Sequence, residues 1–332
     1  MPGRLAHRLV EQMAIPRRVS VIVPTHDRPL LLAEALASIR AIEGSDLSCE
    51  ILIGDNGSEG QTRAVADRFG ARYFAVNRSG AAAARNAGLR AATGDYIAHL
   101  DDDDLWTPSH VRSHLALLEA HPELDAVVGQ IVSTDTDRHA LGEPWPVDIA
   151  RTDGDLFMTF MNYFPQVGGT IARASVRESV GEFDESLLGD ADWDWHLRIA
   201  KRHRVGFVAV PSVLFRQRPA GSADQVPLRR APYTRRIFFR HALPEWRRWE
   251  SPREFVRSYG ASMAPYYSYF YDAAMTRSRV GDFAGATAAI RHALGLAPFA
   301  AARAVIASEE LRGSLLSAAR AWLRPSREPR KP

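Results

Sequence analysis

Four aspartates in a row, Asp101-Asp102-Asp103-Asp104, follow the apolar run Tyr96-Ile97-Ala98-His99-Leu100. Neighbouring carboxylates repel one another, so a turn gains no stability by choosing them. Carboxylates at i and i+2 at the end of a buried strand can converge on one hard divalent cation, which prefers oxygen ligands. Asp101 and Asp103 have that spacing, and Asp102 can stand in for either. A cation held this way bridges a diphosphate and neutralises charge building on a leaving group. The competing expectation is a solvated acidic cap on the helix that Pro108 opens, since its dipole favours Asp. Other chemistry is poorly represented. Cys49 is the only cysteine, which excludes an intrachain disulfide and a cysteine zinc site. His110 and His114 stand at i and i+4 without the Glu that a metalloprotease helix places between them. Neither a Gly-Lys-Ser/Thr phosphate loop nor a Gly-x-Ser-x-Gly elbow occurs.

The flanking pattern describes the scaffold these acids need. Val19 to Val23 is a β-branched run stopped by Pro24, as expected of a strand buried on both faces of a parallel sheet. Thr25-His26-Asp27-Arg28 makes a loop, and after Pro29 apolar Leu32, Leu36 and Ile39 recur at helical spacing. The unit then repeats. Strands at Ile51–Ile53, Arg72–Val76 and Tyr96–Leu100 precede helices at Thr62–Phe69, Ala81–Ala92 and Pro108–His121, and Ala126–Val132 is a further strand. This alternation predicts an α/β fold with a mostly parallel open sheet flanked by helices. Ligands bind such sheets at the carboxyl ends of the strands. The polar clusters Thr25 to Arg28, Asp55 to Ser58 and Asp101 to Asp104 all fall there. From Trp145 to Phe215 the pattern loosens, with strands at Gly168–Ile171 and Val205–Val210 and a helix at Trp193–His203. Beyond Pro219 a helical, arginine-rich extension begins. It contains one tetratricopeptide-like helical pair around Gly281 to Pro298, weak evidence because such repeats need stacked copies.

Val19-Ser20-Val21-Ile22-Val23-Pro24-Thr25, Ile53-Gly54-Asp55-Asn56-Gly57-Ser58, Ala83-Ala84-Arg85-Asn86-Ala87-Gly88 and Gly94 through Asp104 together resemble the family 2 glycosyltransferases of GT-A fold. The resemblance covers about residues 17–215. It implies a metal-dependent, inverting transfer of a sugar from a nucleotide-diphospho-sugar (UDP-, GDP- or dTDP-linked) to a hydroxyl of a carbohydrate or lipid-linked acceptor. Synthesis of surface polysaccharide or another glycoconjugate is the implied setting. By motif, Pro24 and Thr25 lie against the nucleotide, Asp55 contacts the nucleobase, and Arg85 helps bind the nucleotide. Asp101 and Asp103 hold Mn2+ or Mg2+, with Asp102 beside them in the binding site. The segment Phe183 to Arg198 resembles the family's acidic pair before an aromatic-rich helix, which makes Asp192 the general base. A single in-line displacement needs such a base opposite the leaving group. A helix cap is an equally ordinary use of Asp190 or Asp192, and the two roles are compatible. Three departures stand out. Ala191 replaces the acid that normally precedes the base, so Asp190 shares or takes over part of the role. Asn56 stands where a second acid is frequent. Arg218 stands where a histidine is often found near the metal, and Arg216 or Arg218 can clamp a diphosphate instead.

The chain has 42 basic and 39 acidic side chains, unevenly divided. Residues 1–215 carry 21 basic and 30 acidic ones; residues 216–332 carry 21 and 9. The expected organisation is a leader (1–16), a GT-A catalytic domain (17–218), a basic helical region (219–324) and a disordered tail (325–332). The apolar runs are too short for a signal peptide or a bilayer span, so a cytoplasmic protein is expected, with peripheral contact to an anionic membrane through the basic region. Aromatic and basic residues do not interleave in a nucleic-acid-binding pattern, and no nucleic-acid partner is expected. Two other classes compete. A nucleotidyltransferase of related fold would place a Gly-rich loop after the first strand, where Thr25 to Arg28 has none. A degenerate binding scaffold has no reason to keep the acids.

Overall fold

Val19, Val21, Ile22 and Val23 are fully buried, the outcome expected when β-branched residues run between two covered faces. They belong to strand β1 (Arg17–Thr25) of a computed structural model that describes residues 16–57, 59–149, 153–217 and 226–323. Pro16 apart, the expected leader lies outside the described residues, as do Ser58, Arg218 and the tail at 325–332. The chain divides into two compact units, Met1–Ser222 and Ala223–Pro332.

In the first unit β1 pairs in parallel with β2 (Leu47–Asp55) on one side and with β4 (Tyr96–His99) on the other. β3 (Arg72–Ala75) extends the parallel set beyond β2. Past β4 the sheet becomes mixed. β7 (Thr170–Arg173) runs antiparallel to β4 and to β6 (Ala126–Thr134), while β8 (Val205–Arg216) is parallel to β6. The two-residue β5 (Leu105–Trp106) pairs antiparallel with β8. The order is β3-β2-β1-β4-β7-β6-β8-β5, a mostly parallel sheet with helices on its faces, as the alternation predicted. Gly168 and Gly169 depart from the expectation. They form a 3-10 turn (Val167–Gly169), and the strand begins only at Thr170.

The helices follow the strands: α1 (Pro29–Arg40), α2 (Glu59–Arg68), α3 (Ala81–Ala91) and α4 (His110–Ala120). Two short helices, α5 (Phe157–Asn162) and α6 (Val176–Val180), precede α7 (Ala191–Arg202). The alanine content of α3 has a packing reason. A Cβ on Gly54 of β2 would lie 2.1 Å from the Ala84 carbonyl oxygen, and one on Gly88 would lie 2.8 Å from Ile22 Cγ2. Helix and sheet therefore approach backbone to backbone, and only small residues permit it.

The second unit is helical: α8 (Val226–Ala242), α9 (Pro252–Arg279), α10 (Phe283–Leu296), α11 (Pro298–Ala307) and α12 (Glu309–Leu323). Met263, Tyr266, Phe270, Ala293 and Leu296 form one of its apolar clusters. Gly281 turns the chain between α9 and α10 at φ +80°, and Asp282 caps α10 by accepting the Gly285 N–H at 2.9 Å. Among the described residues no helix is long and apolar enough to cross a membrane.

Candidate active site

The parallel register brings three strand ends to one edge. Thr25 pairs with Asp55 across β1 and β2, and Ile22 with His99 across β1 and β4. The loops that follow open onto a cleft of about 370 Å3, lined by Pro24, Thr25, Arg28, Asn56, Arg85 and Asp101 to Asp103, among others. The remaining wall is the start of α3, Ser79-Gly80-Ala81. Gly80 takes φ +107° there, a value that L side chains rarely adopt. Backbone N–H groups at a helix N-terminus suit an anionic group.

Within the cleft the acids are already partnered. Thr25 Oγ1 donates to Asp102 Oδ2 at 2.7 Å. Arg28 Nη1 lies 3.1 Å from both Asp102 Oδ1 and Asp103 Oδ2, so these two carboxylates converge on one positive centre. Asp101 accepts from Arg85 Nη2 at 2.5 Å. The adjacent pair Asp102 and Asp103 thus shares Arg28, while Asp101 is held by Arg85. Burial pushes the Asp102 carboxyl up to about 6, with the charges of Asp103 and Asp101 adding to it and Thr25 and Arg28 opposing.

Asp104 has a different job. It is 1% exposed, accepting the Arg216 N–H at 2.9 Å and Gln166 Nε2–H at 3.0 Å. It therefore ties the acidic loop to β8 and to the segment before β7. Burial, reinforced by Asp101 and Asp103, drives its carboxyl well above the usual range. Arg138, at φ +71°, donates to the Asp103 carbonyl at 2.9 Å and pairs with Glu34, which Arg216 also contacts.

Two expected site residues stand apart from the cleft wall. Asp55 is buried at the end of β2, accepting from Gly57 N–H at 2.8 Å and from Tyr73 Oη–H at 2.9 Å; its neighbour Asn56 is the residue that reaches the cleft. Asp192 sits half-buried in the first turn of α7, not among the residues that line the cleft. Its Oδ1 accepts the Trp193 N–H at 3.0 Å. Burial takes His196 down to about 4, although the Asp192 charge opposes the fall. Asp190 occupies the cap position at φ +56° but makes no capping hydrogen bond with its side chain. Trp193 and Trp195 are 1% exposed and serve the core: Trp195 stacks on Phe183, and Trp193 on Phe164. The sequence pattern marks Asn56 only as a departure from the nucleobase motif and Arg28 only as part of a loop, and nominates neither for the site. The available signal was a basic residue in the loop after β1 and an acidic run after β4, two clusters that an α/β sheet brings to the same edge.

Asp135, Asp137 and His139 bring ligand atoms within 4.8 Å of one another and could hold a metal ion. Turn geometry accounts for the grouping: Asp135 Oδ1 accepts the N–H groups of Asp137 and His139 at 2.9 Å each.

A mixed, mostly parallel sheet flanked by helices, with a polar cleft at its carboxyl edge, is a GT-A-type architecture. The glycosyl transferase family 2 model matches residues 20–175. The uncharacterized glycosyltransferase YwdF of Bacillus subtilis (strain 168) is 30% identical over 237 residues, which are 69% of this chain and 85% of that one. The chain belongs to glycosyl transferase family 2 and is a glycosyltransferase. Its fold resembles that of S. aureus TarS 1-349 in complex with UDP-GlcNAc (TM-score 0.56, 14% identity, 82% of this chain and 90% of that one). It also resembles the Pyrobaculum calidifontis mannosyltransferase PcManGT in complex with GDP-Man and Mn2+ (TM-score 0.51, 19% identity, 97% and 87%).

Proposed function

We propose that the cleft binds a nucleotide-diphospho-sugar and that the enzyme transfers the sugar, with inversion, to a hydroxyl of a carbohydrate or lipid-linked acceptor in glycoconjugate synthesis. The observation that carries this reading is the convergence of Asp102 and Asp103 on one cationic nitrogen, beside Arg85 and the N-terminus of α3. Carboxylate oxygens that meet on one positive centre are a donor set suited to Mn2+ or Mg2+. Asp103, with Asp101 or Asp102, would hold the ion. Such an ion supplies positive charge against the departing diphosphate. Proteins of similar fold have been seen bound to UDP-GlcNAc and to GDP-Man with Mn2+, which supports a nucleotide-sugar donor.

The chain's own residues do the rest. Pro24, Thr25 and Asn56 flank the nucleotide, with Asp55 bracing that wall from behind. Arg85 and Arg28 offer guanidinium forks to phosphate oxygens. Asp192 takes the proton of the acceptor hydroxyl as its oxygen bonds to the anomeric carbon and the bond to the diphosphate breaks. The test is a thermal-shift and turnover panel of UDP-, GDP- and dTDP-sugars with and without Mn2+. Asp103→Ala should abolish turnover and the Mn2+-dependent shift, while Asp192→Asn should keep the shift and lose turnover. Intact turnover in Asp103→Ala overturns the metal assignment; intact turnover in Asp192→Asn overturns the base.

A further inference from the structure

At the end of α8 three apolar side chains face solvent: Phe239 is 37% exposed, Leu243 55% and Trp246 48%. Phe239 lies in the last turn of α8, Leu243 just past its end, and Trp246 opens the 3-10 turn (Trp246–Arg248) that follows. Phe239 and Trp246 are held from beneath by α9, with Phe239 5.3 Å from the Tyr259 ring and Trp246 5.3 Å from Phe255. Arg235, Arg236, Arg247 and Arg248 are exposed on the same stretch. From Val226 to Trp249 the chain carries seven arginines and one acid, Glu245, which Arg248 already holds at 2.9 Å.

We propose that this face docks on an anionic lipid surface. Phe239, Leu243 and Trp246 would enter the boundary between headgroups and acyl chains, and the arginines would meet the lipid phosphates. Charge and apolar area point to the same occupant. A Trp, a Phe and a Leu rimmed by arginine match an interfacial segment, whose binding sums apolar burial and attraction to anionic lipid. A second copy of the chain fits poorly, because a two-fold contact would set the arginines against their own equivalents. A nucleic acid backbone would satisfy the arginines but has no use for an exposed leucine. The docking residues belong to the second unit and the cleft residues to the first, and vesicle binding is read without a donor, so its failure and the failure of the donor reading are distinguishable.

The test is co-sedimentation of the full chain with phosphatidylcholine vesicles, with and without about 30% phosphatidylglycerol, at low and high salt. Binding is expected only with the anionic lipid and should fall as salt rises. Leu243→Gln with Trp246→Gln should weaken it at least tenfold, and Arg247→Gln about fivefold. Leu243→Gln alone, at the most exposed of the three side chains, guards against a folding defect, and every variant should keep wild-type turnover in vesicle-free solution. Equal binding to neutral and anionic vesicles, binding to neither, or variants that bind like the parent would overturn the proposal. So would variants that lose a dimer in sedimentation analysis, or tighter retention by RNA than by vesicles.

Discussion

Asp104→Asn separates the structural acid from the three that line the cleft. The carboxylate accepts two N–H bonds in a buried setting, from the Arg216 backbone and from Gln166 Nε2. Asparagine supplies one acceptor and one NH2 group, so one N–H must face another donor. Gln166 cannot turn its amide round, because its Oε1 accepts the Gly168 N–H at 2.6 Å. One hydrogen bond is lost and one buried donor is stranded, which together cost about 3 kcal/mol. Removing a charge that burial, Asp101 and Asp103 all disfavour recovers about 1 kcal/mol of that. A net loss of about 2 kcal/mol lowers Tm by roughly 4–8 °C in a unit of this size. Asp103→Asn, whose Arg28 partner is 35% exposed, should lower Tm by less than Asp104→Asn does, because solvent screens that pair in part. Scanning calorimetry on both variants, alongside donor turnover, is the assay. If Asp104→Asn melts with the wild type yet loses turnover, Asp104 belongs with the cleft acids and the reasoning fails.

Gly54→Ala should cost about 3 kcal/mol or more, because the new Cβ meets a backbone oxygen at 2.1 Å and neither strand nor helix can yield cheaply; an unchanged urea midpoint would deny the close approach of α3. Glu50 gives a pH signature. Burial pushes its carboxyl up, but hydrogen bonds from Ser20, Thr93 and Arg72 outweigh burial and leave it below the usual value. A lowered folded-state pKa adds stability above the unfolded value near 4.5, and that stability is lost as the pH falls. The Tm gap between wild type and Glu50→Gln should therefore be widest near neutrality and close below about pH 4.5; a gap that widens in acid would reverse the sign.

What could be read in the sequence was what residue type and local spacing encode. The β-branched run at Val19 to Val23, the alanines of α3 and the aspartates after β4 announce themselves, and the family followed from their order. Helix α5 and the two-residue β5 are too short to display a period. Asp103 and Asp104 look alike in a run of identical residues; only Gln166, from the segment before β7, and Arg216 of β8 separate their duties. Arg28 was named as part of a loop, but its duty depends on β1 lying beside β4, which no local pattern states.

The span of the cleft's contacts has a consequence for how the protein reaches its working state. Thr25 and Asp102 are 77 residues apart, and Arg28 and Asp103 are 75 apart. Neither contact can form before β4 has docked beside β1, and closing a loop of that length precedes any reward from the contacts inside it. A nascent or refolding chain thus has its strands and helices under way before it has a cleft. Ligand binding during refolding should rise with the last cooperative phase rather than with secondary structure, and a tightly bound nucleotide would stabilise only chains that have completed it.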